Sequence, residues 1–287
     1  MISQRSPLPE ALRDLPFAKM TGSGNDFVFF DGREVPVALL TQPETIRAIC
    51  NRYNGIGADG IVILEPASPS ADARILYFNN DGSSADLCGN ATLCSTAMAV
   101  ELGMAQSEGM VLMTGAGQIR SRLVKGQPEI ALQPVTEIQS TMPIKRLDGE
   151  ERIGFTVAGI PHLVILCDDA DRIAVASRGP TLRGHPASGP NGANVNWVSS
   201  MAGGRWRYRT FERGVEGETL ACGTGAVATA VLLAHWGLAA LPDVVIRTSS
   251  GRDLVVQLDV LPGESHGFQP TLKGEGRVVF RGRIAQL

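Results

Sequence analysis

Short apolar runs closed by glycine and aspartate recur along this chain. Residues 27–30 read Phe-Val-Phe-Phe and end at Asp31-Gly32, which predicts a buried strand and a turn. Residues 60–64 and 73–79 predict two more strands. Residues 110–134 read as alternating strands separated by Gly turns. The strand signal returns at 163–167, after a charged stretch at 145–152, and again at 277–284. Helical spacing covers 42–53, where Ile46, Ile49 and Cys50 share a face. Residues 91–102 and 226–234 are apolar on nearly all sides, which predicts helices buried in a core.

Three landmarks recur in the same order. Gly24-Asn-Asp-Phe-Val-Phe-Phe30 resembles Ile160-Pro-His-Leu-Val-Ile-Leu166 at an offset of 136. Gly57-Ala-Asp-Gly-Ile-Val62 resembles Ala193-Asn-Val-Asn-Trp-Val198, with Asp59 and Asn196 137 residues apart, and Leu87-Cys-Gly-Asn-Ala91 resembles Ala221-Cys-Gly-Thr-Gly225 at an offset of 134. Near-equal offsets in order imply an internal duplication into two similar α/β halves. Each half delivers one Cys-Gly pair to an equivalent position. If the halves face each other about a pseudo-twofold axis, the two cysteines face one another across a cleft.

Composition narrows the function. The 287 residues suffice for two domains or one large one. Lys and Arg number 26 against 29 Asp and Glu, a net charge of −3, which excludes a nucleic-acid binder driven by a basic field. The most apolar stretch, 226–241, is interrupted by His235, Trp236 and Gly237 and falls short of the roughly 20 residues that span a bilayer. Residues 1–16 lack the apolar core of a signal peptide and read as a polar leader or an added turn. A soluble, cytoplasmic protein with no membrane partner is expected. Five widely spaced cysteines form no CxxC pair, and His162, His185, His235 and His266 are scattered, so neither a disulfide framework nor a metal site is expected. Gly55-Ile-Gly-Ala-Asp-Gly60 satisfies G-x-G-x-x-G, but a helical stretch precedes it and a strand follows, the reverse of a dinucleotide-binding turn.

The Cys-Gly pairs carry the chemistry. Cys88 and Cys222 each stand just ahead of a predicted buried helix. A helix start offers unpaired N–H groups and a positive dipole end, which lower a thiol pKa and hold a carboxylate. Two such thiols on opposite faces of an α-carbon can invert it: one takes the α-proton and the other returns a proton. The carbanion charge then spreads into a carboxylate held by the two helix starts. Cys50, Cys94 and Cys167 read as small buried hydrophobes. Two thiols facing across an empty cleft are also expected to oxidise together.

Several segments together resemble the diaminopimelate epimerase family: Lys19-Met-Thr-Gly-Ser-Gly-Asn-Asp-Phe27, Gly55-Ile-Gly-Ala-Asp-Gly60, Phe78-Asn-Asn-Asp-Gly-Ser83, Asp86-Leu-Cys-Gly-Asn90, and Phe211-Glu-Arg-Gly-Val-Glu-Gly-Glu-Thr-Leu-Ala-Cys-Gly-Thr-Gly225. The match runs from about Phe17 to the C-terminus. The resemblance implies an isomerase with no cofactor, neither pyridoxal nor metal, interconverting LL- and meso-2,6-diaminopimelate on the route to lysine and peptidoglycan. It implies an α/β (α+β) fold of two pseudo-symmetric domains, each a curved, mostly antiparallel sheet around a central helix, with the active site in the cleft between them. The expected domains are 1–133, completed by a strand at 276–287, and 134–275. By resemblance Cys88 and Cys222 are the acid/base thiols, and Gly89, Asn90, Gly223 and Thr224 hold the reacting carboxylate. Asn25, Asn79, Asn194, Glu212 and Arg213 match the remaining substrate contacts, and His162 and Glu212 match positions that tune the thiols. Arg213 offers a planar fork to a carboxylate and Glu212 an acceptor to an ammonium, as a substrate with a second zwitterionic end requires. Family members are often dimers, so the resemblance admits a homodimer.

Two departures stand out. Gly159-Ile-Pro-His162 carries isoleucine where the family usually has asparagine, and Cys88-Gly-Asn-Ala-Thr-Leu-Cys94 carries Ala91 and Leu93 where Gly and Arg are common. Ile160 keeps open a same-fold racemase of another amino acid. A hydrolase or transferase using one thiol and His162 is a further alternative, although it needs only one cysteine. A non-catalytic binding protein leaves the two matched Cys-Gly starts unexplained.

Overall fold

The computed structural model describes residues 10–67, 69–263 and 267–285. His266 and the first nine positions of the expected leader lie outside the described residues. In chain order the first half holds β1 (Pro16–Gly22), β2 (Asn25–Asp31), α1 (Val37–Leu40), α2 (Pro43–Cys50), β3 (Gly60–Pro66), β4 (Ala73–Asn79), α3 (Gly89–Glu101), β5 (Met110–Thr114) and β6 (Gly117–Val124). There follow β7 (Gln127–Ala131), β8 (Ile138–Gln139), β9 (Glu150–Ala158), β10 (Ile160–Cys167), α4 (Val175–Arg183), β11 (Asn194–Ser200) and β12 (Arg205–Glu212). The chain ends with β13 (Gly217–Thr219), α5 (Gly223–His235), β14 (Asp243–Arg247), β15 (Asp253–Val260), β16 (Phe268–Lys273) and β17 (Arg277–Arg283). Two compact units result: Met1–Pro128 with Glu275–Leu287, and Glu129–Gly274.

In the first unit β1 pairs antiparallel with β17 and with β2, and β2 runs parallel to β3. Next, β3 pairs antiparallel with β4, β4 parallel with β5, and β5 antiparallel with β6. The run at 27–30 is apolar throughout because its sheet is covered on both faces. Side chains alternate across a strand. Phe27 and Phe29 join the cluster around Met98 and Ala99 of α3, while Val28 and Phe30 join the cluster around Ile46 and Ile49 of α2. Val62 and Leu64 against Ile61 and Ile63 divide the same way.

The second unit repeats this order of pairings. β9 pairs antiparallel with β10, β10 parallel with β11, β11 antiparallel with β12, β12 parallel with β14, and β14 antiparallel with β15. Each parallel step needs a crossover, and a helix lies in each one: α2 and α3 in the first unit, α4 and α5 in the second. Parallel neighbours are thus a minority in a mostly antiparallel sheet. Helix α3 packs on β1, β2, β3, β4 and β6, and α5 packs on β9, β10, β11, β14, β15 and β16. Burial on every side explains why both helices lack a polar face. Among the described residues no helix is long and apolar enough to cross a membrane.

One alternative holds and one expectation changes. The described part of the leader, residues 10–15, packs onto the first unit. Glu10–Leu12 forms a 3-10 turn, and Leu12 is buried with Phe17, Val28, Phe30 and Ile284. The Asp14 N–H donates to the Ile284 carbonyl at 2.6 Å, and Ile284 N–H to Leu15 at 3.1 Å. The helix expected over 42–53 stops at Cys50. Asn51 turns extended, and its Oδ1 accepts the N–H groups of Tyr53 (2.9 Å) and Asn54 (2.8 Å), a local bond that competes with the helix.

Candidate active site

Both cysteines of interest cap a helix of 13 residues. Cys88 precedes α3 with φ −133° and ψ 116°; Cys222 precedes α5 with φ −131° and ψ 116°. Neither side chain caps its own helix, so the first-turn N–H groups of Gly89 and Asn90, and of Gly223 and Thr224, keep the polarity that attracts an anion. The carbonyls of Cys88 and Cys222 accept the first helical bonds, from Thr92 and Ala226, each at 2.9 Å. All five cysteines are thiols, and Cys50, Cys94 and Cys167 are buried.

In the first unit, Asn90 occupies the second position of α3 and is 2% exposed. Its Nδ2 donates to Asn25 Oδ1 at 2.6 Å, and Asn25 Nδ2 donates to Asp59 Oδ2 at 3.0 Å. Arg52 donates to Asp59 (2.6 Å) and, with two nitrogens, to Asp26 (2.7 and 3.0 Å). Lys19 pairs with Asp26 at 2.7 Å and donates to the Gly57 carbonyl. Burial opposes the charge on Asp26, but Arg52 and Lys19 prevail and hold its carboxyl below the usual range. Asn79 stands apart from this chain of contacts. At the end of β4 its Oδ1 accepts from Tyr77 Oη (2.9 Å), and its Nδ2 donates to Ser83 (3.0 Å).

In the second unit, β11 and β12 bring the polar groups together. Asn194 Nδ2 lies 3.8 Å from Cys222 Sγ, while its Oδ1 accepts the backbone N–H of Arg213 at 2.8 Å. Thr224 Oγ1 is 3.5 Å from the same sulfur. Glu212 accepts from Thr219. Arg213 is half-buried. Cys222 is buried, 7% exposed, and its pKa contradicts the expectation that the helix start lowers it. Burial raises it well above the ordinary value and the Glu212 carboxylate raises it further, outweighing the opposite pulls of Thr224 and the Gly225 N–H. Cys222 is therefore held as a protonated thiol.

His162, fully buried, reaches Asn196 rather than the thiol. Its Nδ1 is 3.2 Å from Asn196 Nδ2, which also donates to the Leu163 carbonyl at 2.8 Å. Burial, with a contribution from Arg213, pushes the His162 pKa down to about 3. Asn196 Oδ1 accepts from Tyr208 Oη (3.0 Å) and Thr210 Oγ1 (2.9 Å), and Tyr208 Oη lies 3.4 Å from the Cys222 carbonyl. A Cβ at Gly225 would collide with Tyr208 Oη and stand 2.5 Å from Asn196 Oδ1, so this helix start fits the network only with glycine. The sequence assigned no site role to Asn196, Tyr208, Asp26, Arg52 or Asp59, although Asp26, Asp59 and Asn196 lie in its repeated segments. One signal existed: the repeated segments that hold Asp26 and Asp59 are matched to those that hold His162 and Asn196.

Among the described residues no cluster of His, Cys, Asp and Glu could hold a metal ion. The architecture defines a class, that of two-unit α/β proteins shared by enzymes of several names. A phenazine biosynthesis protein of the PhzF family from Bacillus anthracis superposes with a TM-score of 0.71 at 15% identity, over 95% of this chain and 99% of that one. A hydroxyproline epimerase from Agrobacterium vitis superposes with a TM-score of 0.66 at 19% identity, over 95% and 93%. Sequence then narrows the class. The diaminopimelate epimerase family model matches residues 17–134 and 155–260. A diaminopimelate epimerase of Gemmatimonas aurantiaca is 65% identical over 95% of this chain and 100% of its own, and one of Aquifex aeolicus 34% identical over 95% and 98%. The chain belongs to the diaminopimelate epimerase family, and it is an isomerase.

Proposed function

We propose that the chain interconverts LL- and meso-2,6-diaminopimelate by two-base proton transfer between Cys88 and Cys222, in the supply of lysine and peptidoglycan precursors. The observation that carries this reading is the pair of matched helix starts, with equal helix length and N-cap dihedrals within a few degrees. One cysteine, as thiolate, removes the α-proton; the other, as thiol, protonates the opposite face. The N–H groups of Gly89, Asn90, Gly223 and Thr224 hold the carboxylate into which the negative charge spreads. Arg213 takes the distal carboxylate and Glu212 an ammonium, with Asn25, Asn79 and Asn194 completing recognition. Glu212 also keeps Cys222 protonated. His162 acts on that thiol indirectly, through Asn196 and Tyr208. The reaction in this form calls for no cofactor. We further take the enzyme to act in the cytoplasm, with a homodimer as its expected assembly.

Ile160, at the first position of β10, is the one feature that favours a different amino acid. The 65% identical relative bears the name diaminopimelate epimerase, which supports the first reading. Turnover on a panel of L-amino acids separates the two. Diaminopimelate is expected to be converted far faster than any monoamino acid; a monoamino acid converted faster would overturn the assignment.

A further inference from the structure

Asn90 carries an anomaly. It is 2% exposed, yet its Oδ1 has no hydrogen-bond partner. A buried acceptor left unpaired costs about 1–3 kcal/mol, so such an atom calls for an explanation. The contacts behind it supply one. A carboxylate can only accept hydrogen bonds, whereas a carboxamide presents a donor at one end and an acceptor at the other. Asp59 Oδ2 accepts from Asn25, so Asn25 must turn its NH₂ toward Asp59 and its oxygen toward Asn90. Asn90 must then turn its NH₂ toward Asn25, which leaves its own oxygen unspent. The orientation of both amides is dictated from Asp59, two residues away along the relay. Asp59 is itself held by Arg52 at 2.6 Å and by the Asp26 N–H at 3.3 Å.

We propose that Asp59 is a positioning residue that fixes the polarity of the Asn25–Asn90 relay, so that Asn90 Oδ1 is kept as the acceptor for the substrate's α-ammonium beside Cys88. This rests on the amino-acid epimerase reading above and deepens it: the relay favours an α-ammonium, a charge-assisted donor, over an α-hydroxyl, a weaker donor, and over an α-hydrogen, which is none.

Asp59→Asn tests the polarity at constant shape. Its oxygen can still accept from Arg52, but its NH₂ now faces Asn25. Asn25 and Asn90 must both flip, and the acceptor becomes a donor. The expected result is a fall in kcat/KM for LL-diaminopimelate of about 30-fold, carried mainly by KM, the scale of one hydrogen bond to a charged group. Arg52→Gln breaks the ion pairs but leaves a carboxylate facing Asn25, and should stay within about threefold of wild type. The double variant Asn25→Asp with Asp59→Asn restores an acceptor toward both neighbours and should return Asn90 to its wild-type orientation, read by amide proton exchange. Side-chain amide proton exchange of Asn90, followed by ¹⁵N NMR without substrate, reads the polarity itself. These protons should be protected in the wild type and exchange faster in Asp59→Asn.

Unprotected Asn90 amide protons in the wild-type protein would overturn the proposal without any variant. So would an Arg52→Gln loss equal to that of Asp59→Asn, which would make Asp59 a plain ion-pair partner. A wild type that is inert toward diaminopimelate but shows the protected amide would sink the substrate assignment and leave the relay standing.

Discussion

The two cysteine-bearing helix starts have nearly the same backbone and opposite surroundings. Behind Cys88 stands a charged relay, Lys19–Asp26–Arg52–Asp59, in which Arg52 is largely exposed. Behind Cys222 stands a neutral one, His162–Asn196–Tyr208–Thr210, buried throughout. Each relay is built on or beside the central parallel strand pair of its own unit, β2–β3 in the first and β10–β11 in the second, so corresponding strands carry ionic chemistry in one unit and amide-imidazole chemistry in the other. Burial explains the division. Ion pairs are tolerated where Arg52 reaches solvent, whereas a fully enclosed site penalises charge and keeps His162 neutral. Equivalent backbones can thus stand in two different electrostatic surroundings, and the enclosed one holds Cys222 as a protonated thiol.

The strongest break of this comparison is also its symmetry test. Cys88→Ala and Cys222→Ala should each lower epimerisation by about 10³-fold or more, the range of a lost general acid or base. Steady-state turnover checks it; a single-thiol enzyme would survive one of the two changes. Next comes the third position of each helix, Ala91 in α3 and Gly225 in α5. Gly225→Ala should destabilise the protein by about 1–3 kcal/mol through overpacking against Tyr208 and Asn196, and lower activity with it. Ala91→Gly should cost at most about 1 kcal/mol, the helix-propensity difference. Denaturant melts of both variants sharpen the contrast; equal losses would contradict it.

His162 gives a pH signature confined to the second unit. Its folded pKa, about 3, lies below the unfolded value, so the unfolded chain binds the extra proton as pH falls. The stability this residue contributes is complete above pH 6.5 and declines by about 1.4 kcal/mol per pH unit below it, until the folded pKa is reached. His162→Gln should remove that slope from the pH dependence of the unfolding free energy. The smallest effect concerns Glu212, whose charge helps hold Cys222 protonated. Glu212→Gln should lower that pKa and speed alkylation of Cys222 by iodoacetamide at pH 8, with burial still slowing it. Slower alkylation in the variant would reverse the sign of the argument.

Much of the scaffold was legible in the sequence because burial writes itself into composition. Strand β4 has the predicted limits, and α3 and α5 begin two and three residues before their apolar cores, at the glycines that follow each cysteine. Helix α4 was not legible. Pro180 interrupts it, Gly179 sits where a Cβ would strike the Phe211 ring, and Arg178 points to Glu150, 28 residues away. The relays were hidden for the same reason: Asn90 meets Asn25 across 65 residues, and Asn196 meets His162 across 34. Polar pairs of that kind leave no period in a sequence. Only the duplication, matching the segments that hold Asp26 and Asp59 to those that hold His162 and Asn196, hinted at them.

The central claim is that two thiols act on opposite faces of one α-carbon. It is tested most directly by following LL-diaminopimelate in D₂O by proton NMR during the first turnovers. Two bases predict a meso product deuterated at the inverted carbon, while unreacted LL substrate keeps its α-proton. Proton retention in the product, or deuterium entering the recovered substrate as fast as product forms, would mean that a single base does the work.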